Sequence, residues 1–418
     1  MSIDFEDVCA AARAIEGAVV RTPVIPSRLL SDLSGAQIFL KMENLQYTAS
    51  FKERGALVKL LSLGEQARRG VVAMSAGNHA LGVAFHAQRL GIPATIVMPR
   101  GTPFIKVANT RFHGATVELH GDDLAEAAAH AHALAEISGA IFVHPYDDPR
   151  IIAGQGTLAL EFLAQVPDLD VLVIHIGGGG LIAGCAVAAK HLRPQLRIVG
   201  VESERYASMR HAVAGGPPVI GGSTIAEGIA VSEPGILPRQ IVERLVDDIL
   251  TVSEASIEAA VQMLAEIEKT VVEGAGAAAV AAVFDRRDLF AGRRTGVVIC
   301  GGNIDARLLA SVLMRGLVRA GRLAGIRVSI GDRPGELAKV ANLIGQLGGN
   351  IIEIAHQRLF HRLSVKMTEL DVVVETRDDA HVREIVEGLH NLGFATRLTG
   401  DPLSGTEQAD SPERASRG

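Results

Sequence analysis

No charged residue interrupts the chain from Val171 to Ala189, and four consecutive glycines, Gly177 to Gly180, sit in the middle of that stretch. Its length raises the possibility of a membrane span, but the glycines and His175 break the apolar run. The pattern therefore predicts a buried strand over Val171–Ile176, a loop, and a helix starting near Leu181. A strand that is apolar throughout, without alternation, is covered on both faces, as in a parallel sheet flanked by helices. Such a sheet places the glycines at its carboxyl edge, where several unpaired backbone N–H groups and a helix N-terminus surround one point. That point suits a phosphate. Two other readings remain open here. One is a tight strand-to-helix turn packed against a neighbour. The other is a dinucleotide fingerprint, Gly178-x-Gly180-x-x-Ala183, with Glu202 about 24 residues on as the ribose-binding acid.

Similar strands recur on both sides. Ile38–Met42, Val71–Met74, Ala94–Met98 and Thr116–Leu119 are short and apolar, and helical spacing runs over Phe5–Gly17, Gly55–Leu63, His79–Leu90 and Asp123–Ser138. A second series contains Val171–Ile176, Arg197–Glu202 and Gly296–Cys300. We expect a doubly wound α/β catalytic unit over 1–320 with two lobes, the smaller spanning roughly 48–145. After Gly321 the pattern changes. Strands at Ile326–Ile330, Asn350–His356, Leu370–Thr376 and Ala395–Leu398, with helices at Gly335–Leu347 and Ala380–Leu392, predict a ferredoxin-like βαββαβ domain over 326–400. The polar segment 401–418 is expected to be a disordered tail.

A net charge of -6, the absence of Trp and only three Tyr disfavour a nucleic-acid or acidic-membrane partner. Cys9, Cys185 and Cys300 form no C-x-x-C pair and no disulfide framework, which suits a reducing, cytoplasmic location. The acidic start, Ser2-Ile3-Asp4-Phe5-Glu6-Asp7, is unlike a signal peptide.

Lys52 lies in Ser50-Phe51-Lys52-Glu53-Arg54-Gly55-Ala56, whose small and apolar flanks suggest a closely packed helix start. Desolvation or a nearby cation lowers a lysine's pKa and frees its amine, and Arg54 is such a neighbour in sequence. In isolation Lys52 reads as a snorkelling surface lysine. Ser75-Ala76-Gly77-Asn78-His79 follows a strand and opens a helix. Its polar side chains suit either a carboxylate site or an ordinary N-cap by Ser75 or Asn78, and His79 reads as a structural hydrogen-bonding residue. Cys300 ends a strand and precedes Gly301-Gly302-Asn303, where a ligand-facing thiol and an inert buried one are both reasonable. No metal-ligand cluster stands out.

Taken together, these motifs, with Ala153-Gly154-Gln155-Gly156-Thr157, Thr224-Ile225-Ala226-Glu227-Gly228 and Val272-Glu273-Gly274-Ala275-Gly276, resemble the threonine ammonia-lyases. Those are pyridoxal 5'-phosphate enzymes of the tryptophan-synthase β, or type II, fold, and the resemblance spans roughly residues 5–320. It implies that Lys52 is the Schiff-base lysine and Asn78 the partner of the cofactor's phenolic oxygen. By the same resemblance Gly177, Gly178, Gly179, Gly180 and Leu181 hold the phosphate, and Cys300 faces the pyridine nitrogen. Ser75, Ala76, Gly77 and His79 form the substrate turn.

The activity so implied is conversion of threonine to 2-oxobutanoate and ammonia, with serine as a poorer substrate. The resemblance extends to serine racemases, where a serine stands two residues before the asparagine; here that position is Ala76, which speaks for elimination. A hydroxyaspartate dehydratase of the same fold, a nicotinamide oxidoreductase and a catalytically dead amino-acid sensor are the alternatives. Asp332-Arg333-Pro334-Gly335-Glu336-Leu337 resembles the first loop of an ACT domain, implying a homodimer or homotetramer and control by isoleucine or valine.

Overall fold

In a computed structural model of the chain, residues 3–217, 220–357 and 367–399 are described. They fall in two compact units, Met1–Leu309 and Ala310–Gly418. The tail expected at 401–418 lies outside the described residues.

Two sheets build the first unit. The larger contains β1 (Val24–Ser27), β2 (Gln37–Met42), β7 (Val171–His175), β8 (Arg197–Ser203), β9 (Asp248–Val252) and β10 (Arg294–Ile299), in the order β1-β2-β10-β7-β8-β9. Only β1 pairs antiparallel; the other neighbours run parallel. All five residues of β7 are buried, as expected of an apolar strand lying between helical layers. Val171–Ala189 is thus a strand, a loop and the greater part of the helix Gly180–Leu192. No helix among the described residues is long and apolar enough to cross a membrane.

The smaller sheet contains β3 (Val71–Met74), β4 (Ala94–Met98), β5 (Thr116–Leu119) and β6 (Ile141–Phe142), ordered β5-β4-β3-β6 and parallel throughout. Side chains alternate between its faces. Val71, Ala73, Ile96 and Met98 pack with Ala80, Val83 and Ala84, whereas Val72 and Val97 pack with Ala127, Ala131 and Ala135. Each fully buried Val or Ile contributes about 1.5–3 kcal/mol relative to exposure.

One expected grouping is corrected. Sequence order places Ile38–Met42 in the same series as Val71–Met74, but β2 pairs with β10, Ile38 opposite Thr295. The crossing is secured by a buried ionic network. Arg54 donates to Glu43 Oε1 and Oε2, each at 2.8 Å, and to Glu161 at 2.7 and 2.9 Å. Lys41 Nζ donates to the same Glu161 at 2.8 Å. Neither cation exposes any side-chain surface.

The second unit has β11 (Leu323–Gly331), β12 (Asn350–Gln357), β13 (Met367–Glu375) and β14 (Ala395–Thr399), ordered β12-β13-β11-β14 with antiparallel pairs. With the helices Glu336–Gln346 and Asp379–Asn391 this is the ferredoxin-like βαββαβ arrangement. Ile326, Val328, Val372 and Val374 turn inward against Val340, Ile344, Ile385 and Leu389. The outward face places Arg327 opposite Asp371, where the guanidinium donates to both carboxylate oxygens, at 2.5 and 2.9 Å.

Candidate active site

The loops after β3, β7 and β10 all leave the carboxyl edges of parallel strands, the position at which open α/β sheets hold ligands. Lys52 joins them through β10. The Phe51 N–H donates to Cys300 O at 3.0 Å, and Ser50 bridges Gly301, so Lys52 begins its helix (Lys52–Leu61) beside the end of that strand. The helix is closely packed because its neighbours lack side chains at the crossings. A Cβ on Gly55 would lie 2.7 Å from Ile151 O, and one on Gly82 would lie 3.3 Å from Lys52 C.

Lys52 Nζ donates to Pro145 O at 2.9 Å. Burial lowers its pKa to about 8, against the opposing influence of Cys300 and Glu273. Arg54, suggested by sequence as the cation responsible, is not: its guanidinium faces Glu43 and Glu161 in the core. Two residues along a helix is about 200° of rotation, so the two side chains leave on opposite faces.

The glycine loop combines both properties left open by sequence. It is tightly packed, since a Cβ on Gly178 would overlap the Tyr146 ring and one on Gly180 would lie 2.9 Å from Tyr146 O. Gly179 has φ +93, and a Cβ there would collide with Met209 Cε. Yet the helix Gly180–Leu192 starts from Gly179 with no side-chain cap. No side chain among the described residues caps its first N–H groups, and the helix dipole favours an anion there. Pro145 and Tyr146 therefore link Lys52 to this cradle, one accepting from its amine and the other packing against the glycines.

The dinucleotide reading loses its acid. Glu202 accepts from the backbone N–H groups of Met209 at 2.8 Å and Arg210 at 3.0 Å, and burial raises its pKa to about 7. Its carboxylate holds the helix Ser208–Val213 rather than a ribose.

At the third loop neither Ser75 nor Asn78 caps the following helix, Asn78–Leu90; its N-cap is Gly77, without a side-chain bond. Ser75 Oγ accepts from the Gly77 N–H at 3.1 Å. A Cβ on Gly77 would meet nothing within 4 Å, so this turn borders open space. Asn78 Nδ2 donates to Glu273 Oε1 at 2.7 Å, and Asn78 Oδ1 accepts from Asn303 Nδ2 at 2.7 Å. The His79 side chain is corrected from a substrate contact to a core residue. Its Nε2 bonds Val143 O at 3.0 Å, and burial with Lys52 nearby lowers its pKa to about 3.

Cys300 is buried beside Glu273, its thiol donating to Glu273 Oε1 at 3.9 Å. Burial and that carboxyl push the thiol's pKa well above its ordinary value, so it stays protonated. Glu273 itself is raised to about 7, mainly by burial. Its role was missed from sequence because a glutamate in Val272-Glu273-Gly274 reads as a helix-start acid; the neighbouring Gly301 allows the approach, since a Cβ there would lie 2.6 Å from Glu273 Oε1. Tyr146 was missed because its contact is with glycines distant in sequence. A cleft beside Glu273 and Asn303 is flanked by Lys106 and Glu227, which pair at 2.5 Å. No group of His, Cys, Asp and Glu among the described residues is arranged to hold a metal.

A buried amine with a lowered pKa, an uncapped anion cradle and a fixed amide form a donor set that fits an aldehyde-bearing phosphate ester. Comparisons with known proteins agree. The family model of the pyridoxal-phosphate dependent enzymes matches residues 15–301. The chain is 43% identical over 401 residues to an L-threonine ammonia-lyase of Thermotoga maritima, covering 95% of this chain and 100% of that one. Among solved structures, maize serine racemase matches with TM-score 0.71 and 34% identity, over 76% of this chain and 99% of its own. A threonine deaminase from T.th. matches with TM-score 0.68 and 40% identity, over 72% and 99%. The chain belongs to the pyridoxal-phosphate dependent enzymes, with the type II fold and pyridoxal 5'-phosphate as its cofactor.

Proposed function

We propose that the chain is a threonine ammonia-lyase, converting L-threonine to 2-oxobutanoate and ammonia and accepting L-serine less well. The observation that carries this reading is the 43% identity to the Thermotoga maritima L-threonine ammonia-lyase along 95% of the chain.

In this reading Lys52 is the covalent anchor, and the N–H groups of Gly177, Gly178, Gly179, Gly180 and Leu181 hold the phosphate. Asn78 would donate to the ring oxygen, Cys300 would face the pyridine nitrogen, and Ser75, Ala76 and Gly77 would receive the substrate carboxylate. Pyridoxal phosphate, when bound, supplies the electron sink for the charge left as the Cα–H bond breaks. Lys52 Nζ, once free of its anchoring bond, takes that proton; a pKa near 8 lets it accept a proton near neutral pH and release it afterwards. The β-hydroxyl would leave with a proton, as water, and the enamine so released would take up one water to give the 2-oxo acid and ammonia. Cys300, a neutral thiol, offers the ring nitrogen a far weaker acid than a carboxylic acid would, which limits charge delocalisation and favours rapid elimination.

The likeness to maize serine racemase supports a second reading, racemisation. That reaction needs an acid on the face opposite Lys52, and Ala76 presents only a methyl group. For the second unit we propose an ACT domain over 326–400, following a catalytic domain over 1–320, that pairs between copies of the chain and binds a small amino acid such as isoleucine or valine. The free cysteines suit a reducing cytoplasm.

Steady-state formation of 2-oxo acid from threonine, serine and 3-hydroxyaspartate, with and without isoleucine and valine, tests the reading. Threonine should give the largest kcat/KM. Faster formation of D-serine than of any 2-oxo acid would overturn it.

A further inference from the structure

Asn303 belongs to the Cys300-Gly301-Gly302-Asn303 run, yet none of the roles assigned above uses it. Its Nδ2 makes two hydrogen bonds, to Thr48 O at 2.8 Å and to Asn78 Oδ1 at 2.7 Å. A backbone carbonyl only accepts, so the atom of Asn303 facing Thr48 must be the nitrogen, and the same nitrogen faces Asn78. The Asn78 atom it meets is therefore the oxygen. That leaves Asn78 Nδ2 on the other side, against Glu273 Oε1 at 2.7 Å. An amide nitrogen carries two hydrogens. Glu273 takes one, and the second has no protein partner among the described residues.

We propose that Asn303 is a positioning residue for the reaction: anchored by the Thr48 carbonyl, it sets the amide of Asn78 so that an N–H, not a carbonyl oxygen, faces the cofactor's ring oxygen. The proposal rests on the placement of Asn78 beside that oxygen given above. The path begins at a peptide carbonyl, which has one possible role, and fixes two side-chain amides in turn. Without it, either face of the Asn78 amide could turn toward the ring, because a protonated Glu273 can donate as readily as an ionised one accepts. The opposite orientation would set a carbonyl oxygen against the ring oxygen and lose the hydrogen bond.

Asn303→Asp tests this directly. A carboxylate at this position faces two acceptors, Thr48 O and Asn78 Oδ1, and is relieved when Asn78 turns its Nδ2 toward it. The holoenzyme should show a shifted visible absorption band, a shifted pH midpoint for that band, and pyridoxal phosphate bound about tenfold more weakly, the size expected for one lost hydrogen bond to a charged group. In an Asn78→Ala background the same substitution should change affinity by less than about twofold, because Asn303 acts only through Asn78. Asn303→Ala, compared in both backgrounds, serves if the aspartate variant does not fold by circular dichroism; it should weaken binding by about threefold in the native background alone.

An unchanged band and affinity in Asn303→Asp would overturn the proposal, as would equal losses in the two backgrounds. An Asn78→Ala holoenzyme with native band and affinity would instead overturn the placement of Asn78 at the ring.

Discussion

Asn78 Nδ2 lies 2.7 Å from Glu273 Oε1, joining the helix start after β3 to the segment before the helix Gly274–Asp285. Burial raises Glu273 to about 7, so this carboxyl changes charge within the range in which enzymes are assayed. A carboxyl raised on folding contributes stability that is complete below the unfolded value and is lost as pH rises through the folded one. Wild-type apoprotein should therefore lose up to about 3 kcal/mol, relative to Glu273→Gln, between about pH 4.5 and about pH 8. Denaturant titrations at the two pH values measure it. Equal losses in the two proteins would contradict the assignment.

Gly178→Ala forces a methyl into the Tyr146 ring and should displace the loop that offers its N–H groups. Pyridoxal phosphate binding should weaken by about tenfold or more, in line with the cost of overpacking. Gly77→Ala meets nothing within 4 Å. It should keep native cofactor affinity while raising KM for threonine, because its methyl enters the open space proposed above for the substrate carboxylate. Cofactor titration and steady-state kinetics on the pair separate the two effects, and weaker cofactor binding by Gly77→Ala would refute this account of the turn.

Only a neutral amine attacks an aldehyde, so association of pyridoxal phosphate with the apoenzyme should speed up as pH rises and level off above about 8, the value to which burial brings Lys52. Stopped-flow absorbance over about pH 6–11 gives the midpoint. A plateau reached only above about pH 10.4, the value of an exposed lysine, would show that the amine is solvated in solution.

Arg54 separates fold from chemistry. Arg54→Ala takes from Glu43 the guanidinium that pairs with it and leaves Glu161 with Lys41 alone, and should cost about 3–5 kcal/mol of stability. The Lys52 midpoint from the preceding experiment should stay in place, since that guanidinium faces away from the amine. A midpoint raised by one unit or more would reinstate Arg54 as the cause of the lowered pKa.

Much of the architecture was legible because local periodicity encodes it. Val71–Met74, Ala94–Met98 and Thr116–Leu119 form at the residues their patterns indicate, and the alternation in β11 and β13 anticipates the one-sided antiparallel sheet of the second unit. Sheet membership was less accessible. The pairing of Ile38 with Thr295 depends on chain crossings that no local pattern records.

The site shows the same division. Asn78, the glycine loop and Cys300 lie at strand ends that periodicity locates, whereas Glu273 acquires its importance from a thiol and an amide distant in the chain. Arg54 misled because sequence proximity to Lys52 says nothing about the opposite helix face.

The central claim is that Lys52 is the amine that holds the cofactor. Borohydride reduction of the holoenzyme, followed by proteolysis and mass spectrometry, tests it most directly. The account predicts a pyridoxyl group on Lys52 and none on the Lys52→Ala protein; a label on Lys59 or Lys106 in the native enzyme, with Lys52 unmodified, would contradict it.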